Sequence, residues 1–213
     1  MTSIVGPNGS GKSTFINLLS GTLPFEEGLV VIDEKQCRVI MPYENPSNGL
    51  TRTFQEVRLF EQMTALDNIL VVLTKRGVVQ SLLERTSPEL LDRAKELIDS
   101  VGIWHKHDAL AADLSYGQRK LMEIARVLAM DVKVFLFDEP FAGLFPKMLD
   151  QVKELLKKLK EDGRTVVFVS HNMDIVRELS DHIVVMDTGS VLAEGNVEEV
   201  LNLPEVINAY LGT

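Results

Sequence analysis

Two short stretches of this chain carry the residue types that phosphate chemistry needs. Gly6, Pro7, Asn8, Gly9, Ser10, Gly11, Lys12 and Ser13, followed by Thr14, fit the pattern G-x-x-x-x-G-K-[ST]. In that pattern glycines let successive backbone N–H groups turn inward onto an anion, and the N-terminus of the following helix adds a favourable dipole. Lys12 is then placed to reach β- and γ-phosphate oxygens, and Ser13 to offer a hydroxyl to Mg2+. The expected ligand is ATP with its magnesium ion. The second stretch, Val134-Phe135-Leu136-Phe137-Asp138-Glu139, brings two carboxylates to the end of an apolar run, at the edge where open parallel sheets bind ligands. Asp138 is expected in the magnesium shell and Glu139 as the general base that polarises the attacking water. Read alone, the two acids also fit a pair that flanks the next turn.

Such residues need strand, loop and helix to position them. Thr2 to Val5 reads as a short strand that runs into the glycine-rich turn, and Lys12 to Leu19 as the helix after it. Val132 to Phe137 and Thr165 to Val169 are near-continuous apolar runs, the pattern of strands buried on both faces of a parallel sheet. Between them Val152, Leu155, Leu156 and Leu159 mark one face of a helix that ends at Gly163. Asp187, Thr188 and Gly189 give a hairpin turn between Ile183–Met186 and Ser190–Ala193, with two short helices after it. Tyr43 to Gly49 reads as a surface loop. From Glu61 to Met130 the periodicity is helical: Ser87 is a cap, Pro88 a first helical residue, and Leu91, Ala94, Leu97, Ile98 and Val101 repeat on one face up to Gly102. The expected architecture is therefore α/β, with a core at 1–55 and 131–213 interrupted by a mostly helical insertion at 56–130.

Composition agrees with one folded unit. At 213 residues, with 45% hydrophobic and 25% charged residues, the chain is sized for one sizeable core. It holds no apolar run of the roughly 18 to 20 residues that crosses a bilayer, so any membrane role is expected to come through a partner. A formal charge of −9 with no basic stripe argues against general adhesion to nucleic acid. Cys37 is the sole cysteine, which excludes an intrachain disulfide and reads as a small buried apolar residue; a reducing compartment fits.

Leu114-Ser115-Tyr116-Gly117-Gln118 lies between the two phosphate motifs. Alone it reads equally as a helix cap. With the other two motifs, the chain resembles the nucleotide-binding subunit of an ATP-binding-cassette (ABC) transporter over nearly its whole length. The resemblance implies the P-loop NTPase (RecA-like) core with an inserted helical signature subdomain, in a single ABC ATPase domain. It also implies that two such chains sandwich two ATP molecules head to tail, with Ser115, Gly117 and Gln118 facing the γ-phosphate held by the other. Gln55 resembles the glutamine that meets magnesium and the attacking water, and His171 the histidine that hydrogen-bonds the γ-phosphate. His105, His107 and His182 have no such context and read as surface residues. Gly49 to Gln55, Arg58-Leu59-Phe60 with Met63-Thr64, Arg119 to Arg126, and the endings Ala193-Glu194-Gly195 and Ala209 to Gly212 resemble the branched-chain amino acid importer subgroup. That resemblance implies transmembrane permease partners, one of whose helices enters a groove at Glu56, Leu59, Phe60 and Met63. It further implies an indirect partner in a periplasmic or extracellular binding protein, and a place on the cytoplasmic side of the membrane. The ATPase of a lipopolysaccharide-type exporter and a weakly hydrolysing regulatory protein are the alternatives.

The chain departs from the family pattern in three places. Tyr116 stands where the commonest signature has glycine. The strands that normally precede the first motif, with an aromatic residue that stacks on adenine, are expected to be missing, which leaves Phe15 and Tyr43 as aromatic candidates and a sheet edge to be unpaired. Phe145, in Ala142-Gly143-Leu144-Phe145, replaces a polar residue that the family uses across the dimer.

Overall fold

Short runs of β-branched and aromatic residues build one six-stranded sheet in a computed structural model that describes residues 1–74 and 87–211. Its strands are β1 (Thr2–Val5), β4 (Leu50–Arg52), β5 (Val134–Asp138), β6 (Thr165–Val169), β7 (His182–Asp187) and β8 (Ser190–Gly195), in the spatial order β4-β5-β6-β1-β7-β8. All neighbours pair in parallel except β7 with β8, whose antiparallel ladder follows from a tight turn at Thr188 and Gly189. Parallel strands must be buried on both faces, and Phe135, Leu136, Phe137 and Phe168 are accordingly 3% exposed or less. A separate two-stranded hairpin joins β2 (Val30–Ile32) to β3 (Lys35–Cys37), and Cys37 is buried as a free thiol.

The residues divide into two compact units. One comprises Met1–Gln55, Val132–Phe141 and Leu156–Thr213; the other comprises Glu56–Asp131 and Ala142–Leu155. The first contains the sheet, α1 (Lys12–Leu19), α6 (Met173–Leu179), α7 (Val197–Leu201) and α8 (Pro204–Leu211). Ile4, Ile16, Leu136, Val169 and Met186 pack together in its core, so the helix after the first glycine-rich loop is anchored on the strands that flank it. The second contains α2 (Ala65–Leu73), α3 (Pro88–Ser100), α4 (Tyr116–Leu128) and the first part of α5 (Pro146–Glu161). The Ser87 side chain accepts from Leu90 N and Pro88 opens α3, while Ala94, Leu97, Ile98 and Val101 are buried. Leu91 differs: it is 40% exposed. Asn68 is fully buried on α2 and closes the preceding turn, donating to Phe60 O and Thr64 O and accepting from Phe60 N.

Two readings of the sequence are corrected here. The stretch from Tyr43 to Gly49 is two consecutive 3-10 turns, Pro42–Glu44 and Pro46–Asn48, with Asn45 and Asn48 buried. Proline fixes the start of each turn, and Asn45 Nδ2 donates to Ser20 O at 2.8 Å, which holds the segment against the end of α1. His107 is half-buried rather than a plain surface residue: its ring stacks on Trp104 with centroids 4.2 Å apart, and Nδ1 lies 2.9 Å from Trp104 O.

Candidate functional site

Because β1, β5 and β6 run in parallel, their C-terminal ends share one edge, and each delivers chemistry there. β1 ends in the glycine-rich loop, β5 in Asp138 and Glu139, and β6 in Ser170 and His171. The loop is shaped by Gly6 at φ 148°, Gly9 at φ 80° and Gly11 at φ 98°. At Gly6 the need for glycine is steric as well, since a Cβ there would lie 2.1 Å from Met186 O. Gly11 is the N-cap of α1 and supplies no side-chain cap, and the first turn holds no acid. The leading amides and the positive end of the helix dipole are thereby turned to an anion.

Lys12 is buried at 6% exposure, and its Nζ donates to Gly6 O at 2.8 Å and Pro7 O at 2.9 Å. Burial lowers its pKa, and the Glu139 and Asp138 carboxylates oppose that shift. His171 Nε2 stands 3.0 Å from Glu139 Oε1. Its pKa is also lowered from 6.5, by burial first and by the Lys12 ammonium second, against a raising effect of Asp138. Burial and the Lys12 ammonium thus favour the neutral imidazole. Glu139 adopts φ 51°, a left-handed conformation unusual for a residue with a side chain.

A cavity of about 250 Å3 is lined by Asn8, Gly9, Gly11, Lys12, Ser13, Thr14, Gln55, Glu139, Val169 and His171. Residues predicted from four separate stretches of sequence, at 8–14, Gln55, Glu139 and His171, thus meet on one wall. Asp138 lies behind it, 2% exposed, and its backbone N–H is tied to Thr53 Oγ1 at 3.1 Å. Gly6, Pro7 and Ser10 form the buried side of the loop. A second cavity, of about 340 Å3, is lined by Pro7 to Ser10, Asp187, Thr188, Asn208 and Ala209. Around it the loop is braced: Gly189 N donates to Ser10 O at 3.0 Å. The hydroxyl of Tyr210, on α8, meets the Gly6 backbone; burial pushes its pKa up to about 12, and the Gly6 contact partly offsets this.

The donors fit a magnesium nucleotide. Ser13, Gln55 and Asp138 offer hard oxygen atoms, the set that Mg2+ takes alongside phosphate oxygens and water. Among the described residues no three His, Cys, Asp or Glu side chains cluster as a metal site of their own.

Ser115, Gly117 and Gln118 belong to the other unit, at the start of α4. The cap reading of their motif holds: Ser115 Oγ accepts from Gln118 N at 3.4 Å, and Ser115 N donates to Gln118 Oε1 at 3.0 Å, a complete capping box. A Cβ at Gly117 would lie 2.8 Å from Met148 Sδ, so glycine lets α4 approach α5. Tyr116 is accommodated by another glycine, its ring lying over the space a Gly143 side chain would fill. Lys120 Nζ donates to Ala142 O at 3.0 Å, joining α4 to the same segment. Phe145 is 75% exposed and Tyr43 73% exposed, while Phe15 packs against the core of the first unit.

Sequence reasoning passed over Arg52, Thr53 and Tyr210. Arg52 and Thr53 sit in the stretch that carries Gln55, which was signal enough to ask what a buried arginine there pairs with. Tyr210 stands in the ending Ala209 to Gly212 that resembles the importer subgroup, a mark of lineage that does not point to the glycine-rich loop.

A family model for ABC transporters matches residues 1–142. The chain is 38% identical to a probable branched-chain amino acid transport ATP-binding protein of Archaeoglobus fulgidus, covering 100% of this chain and 84% of the relative. It is 36% identical to a high-affinity branched-chain amino acid transport ATP-binding protein of Pseudomonas aeruginosa, covering 100% and 87%. Among solved structures, a nucleotide-free ATP-binding cassette from an ABC transporter superposes with a TM-score of 0.85 at 34% identity, covering 100% of this chain and 88% of that one. A dimeric cassette in a post-hydrolysis state, bound to ADP and Pi, superposes with a TM-score of 0.81 at 29% identity, covering 92% and 85%.

Proposed function

The chain belongs to the ABC transporter family, and from that premise we propose that it is the ATP-hydrolysing subunit of an importer of branched-chain amino acids. The observation that carries the site reading is the convergence of Lys12, Ser13, Gln55, Glu139 and His171 on one cavity at the sheet edge. The cargo reading follows the names of the relatives, since nothing in the nucleotide site would touch an amino acid.

In this reading Gly6, Pro7, Asn8, Gly9, Ser10 and Gly11 wrap the phosphates with backbone amides, Thr14 continues that wall, and the Lys12 ammonium neutralises the β- and γ-oxygens. Mg2+, when bound by Ser13, Gln55 and Asp138, neutralises charge on the phosphates and polarises the terminal phosphorus. Gln55 orients the attacking water. Glu139 accepts the proton the water loses as its oxygen bonds to the γ-phosphorus and the bond to the β-γ bridging oxygen breaks. His171 directs its Nε2 into the site, where an N–H on it is accepted by the Glu139 carboxylate before ATP binds and by a γ-phosphate oxygen once ATP is bound.

The catalytic unit is a pair of cassettes. Ser115, Gly117 and Gln118 of each chain meet the γ-phosphate held by the other, and the dimeric cassettes among solved relatives support that arrangement. Closure on ATP and reopening after hydrolysis drive a permease. Phe60 at 47% exposure and Met63 at 38%, beside Glu56 and Leu59, give an apolar surface for a helix of that permease. Among the described residues no helix is long and apolar enough to cross a membrane, so attachment is peripheral, on the cytoplasmic face where ATP is available. A binding protein on the opposite face delivers the amino acid. Nucleic acid has no place in the cycle.

Size-exclusion chromatography of the Glu139→Gln variant tests this. Removing the base leaves nucleotide binding intact, so Mg-ATP is expected to convert monomer to a stable dimer. A chain that binds ATP yet remains monomeric would overturn the self-sandwich and point to Phe145 and a different partner cassette.

A further inference from the structure

We propose that Arg52 is a positioning residue for the magnesium site, one that locks the Asp138 carboxylate to the end of α1 and to the segment leading into Gln55. The inference rests on reading Asp138 as a magnesium ligand.

Arg52 ends β4 with its side chain 6% exposed, and Asp138 ends the adjacent β5 at 2%; Arg52 Nη2 lies 3.6 Å from Asp138 Oδ2. A buried guanidinium requires a counter-charge and partners for its donors, and this one finds them on three elements. Nη1 donates to Asn17 Oδ1 at 2.7 Å and to Ser20 Oγ at 2.8 Å, both in the last turn and cap of α1. Nε donates to Thr53 O at 2.9 Å. Its plane also lies 4.6 Å from the Phe54 ring centroid, the residue before Gln55. Thr53 returns to β5 twice: its N–H donates to Leu136 O at 2.9 Å, and its Oγ1 accepts from Asp138 N at 3.1 Å.

The planar fork with fixed donor directions is what makes this a bracket. One rigid group spans the helix that carries Lys12 and Ser13, the carboxylate of Asp138, and the approach to Gln55. The three magnesium-binding side chains come from three separate elements, and Arg52 touches all three elements without being a ligand. A lysine at this place would keep the charge and lose the geometry. Loss of the bracket is therefore expected to disturb the spacing of the magnesium donors while leaving the amide cradle for phosphate in place.

The test is equilibrium binding of a fluorescent ADP analogue to the purified full chain, in EDTA and in Mg2+, for wild type, Arg52→Lys, Asn17→Ala and Asp138→Asn. For Arg52→Lys, affinity in EDTA is expected within about twofold of wild type, and the gain on adding Mg2+ is expected to shrink about three- to tenfold, the net worth of about one ordinary hydrogen bond. Asn17→Ala removes one of the two helix-side acceptors and leaves Ser20 Oγ, so it shrinks the same gain by about two- to threefold and gives a second reading if Arg52→Lys folds poorly. A wild-type magnesium gain in both variants overturns the proposal. Equal loss with and without Mg2+, together with a lowered melting temperature, overturns it as well, because that is merely structural behaviour. Asp138→Asn separates the two levels: if it keeps the magnesium gain, the reading of Asp138 has failed; if it loses the gain while Arg52→Lys keeps it, only the role of Arg52 has failed.

Discussion

Two helices in this chain open on a glycine-bearing motif, and their N-termini are finished in opposite ways. α1 begins at Gly11, with no side-chain cap and no acid in its first turn. α4 begins at Ser115 with a reciprocal capping box that includes Gln118. Every helix start leaves its first amides without intrahelical partners. At α1 the sequence leaves them to a ligand and puts the Lys12 ammonium beside them; at α4 the chain satisfies two of its own donors. An anion site is thus marked by what the first turn withholds, and a glycine at the cap is informative because serine or aspartate would have closed the site. The α4 end is not closed outright, because Ser115 Oγ accepts the Gln118 N–H and still has its own O–H to donate to a phosphate oxygen of a partner's ATP in the proposed sandwich.

The most damaging way to break this comparison is to fill the open end. Gly6→Ala would place a Cβ 2.1 Å from Met186 O at φ 148°. Either the loop shifts or β7 yields, at a cost of about 1–3 kcal/mol from backbone strain alone. Thermal unfolding should register the loss, and ATP affinity should fall with it because Gly6 O is a partner of Lys12. Gly9→Ala is the control, since a Cβ there has nothing within 4 Å and meets only the strain of φ 80°. Equal effects of the two would mean that close approach to β7 plays no part in shaping the loop.

The closed end is probed more gently. Ser115→Ala removes the cap and is expected to lower stability by about 1 kcal/mol in urea unfolding. Gln118→Ala removes the other half of the box and should lower it by a few tenths, roughly the worth of an exposed hydrogen bond. In the Glu139→Gln background, Ser115→Ala should also weaken the ATP-dependent dimer by more than its stability loss explains. A dimer of undiminished strength would restrict Ser115 to capping and leave the other cassette's γ-phosphate to different residues.

Much of the open end could be read from the sequence because its parts are contiguous. Gly6 to Gly11 is one loop that runs straight into Lys12 and Ser13; Val134 to Asp138 is one strand with Glu139 next to it; and His171 follows two residues after β6. What escaped was carried by contacts between distant positions. Arg52 gains its meaning from Asp138 and Asn17, and Tyr116, which departs from the usual signature, fits because Gly143 gives its ring room. No local pattern encodes either. The segment Ala142–Leu155 shows the same limit: its helical periodicity was legible, but that it packs with Glu56–Asp131 depends on contacts such as Gly117 with Met148. Asn45 and Asn48 were hidden by their residue type, since asparagine among prolines reads as solvent-facing turn until its amide finds a buried carbonyl.

The smallest expected effect concerns how the open end sets the charge of its neighbour. Burial and then the Lys12 ammonium lower the His171 pKa from 6.5, with Asp138 opposing. As pH falls, the unfolded chain takes up this proton first. The stability tied to the neutral ring is therefore present above pH 6.5 and lost as pH falls from there through the folded value. With the side chain 54% exposed the loss is slight, and NMR titration of the ring is the sensitive measurement. Its midpoint should lie below 6.5, rise toward that value in Lys12→Met, and fall further in Asp138→Asn. A midpoint indifferent to Lys12 would mean that the ammonium, screened by Gly6 O and Pro7 O, does not reach the ring. His171 would then be kept neutral by burial alone.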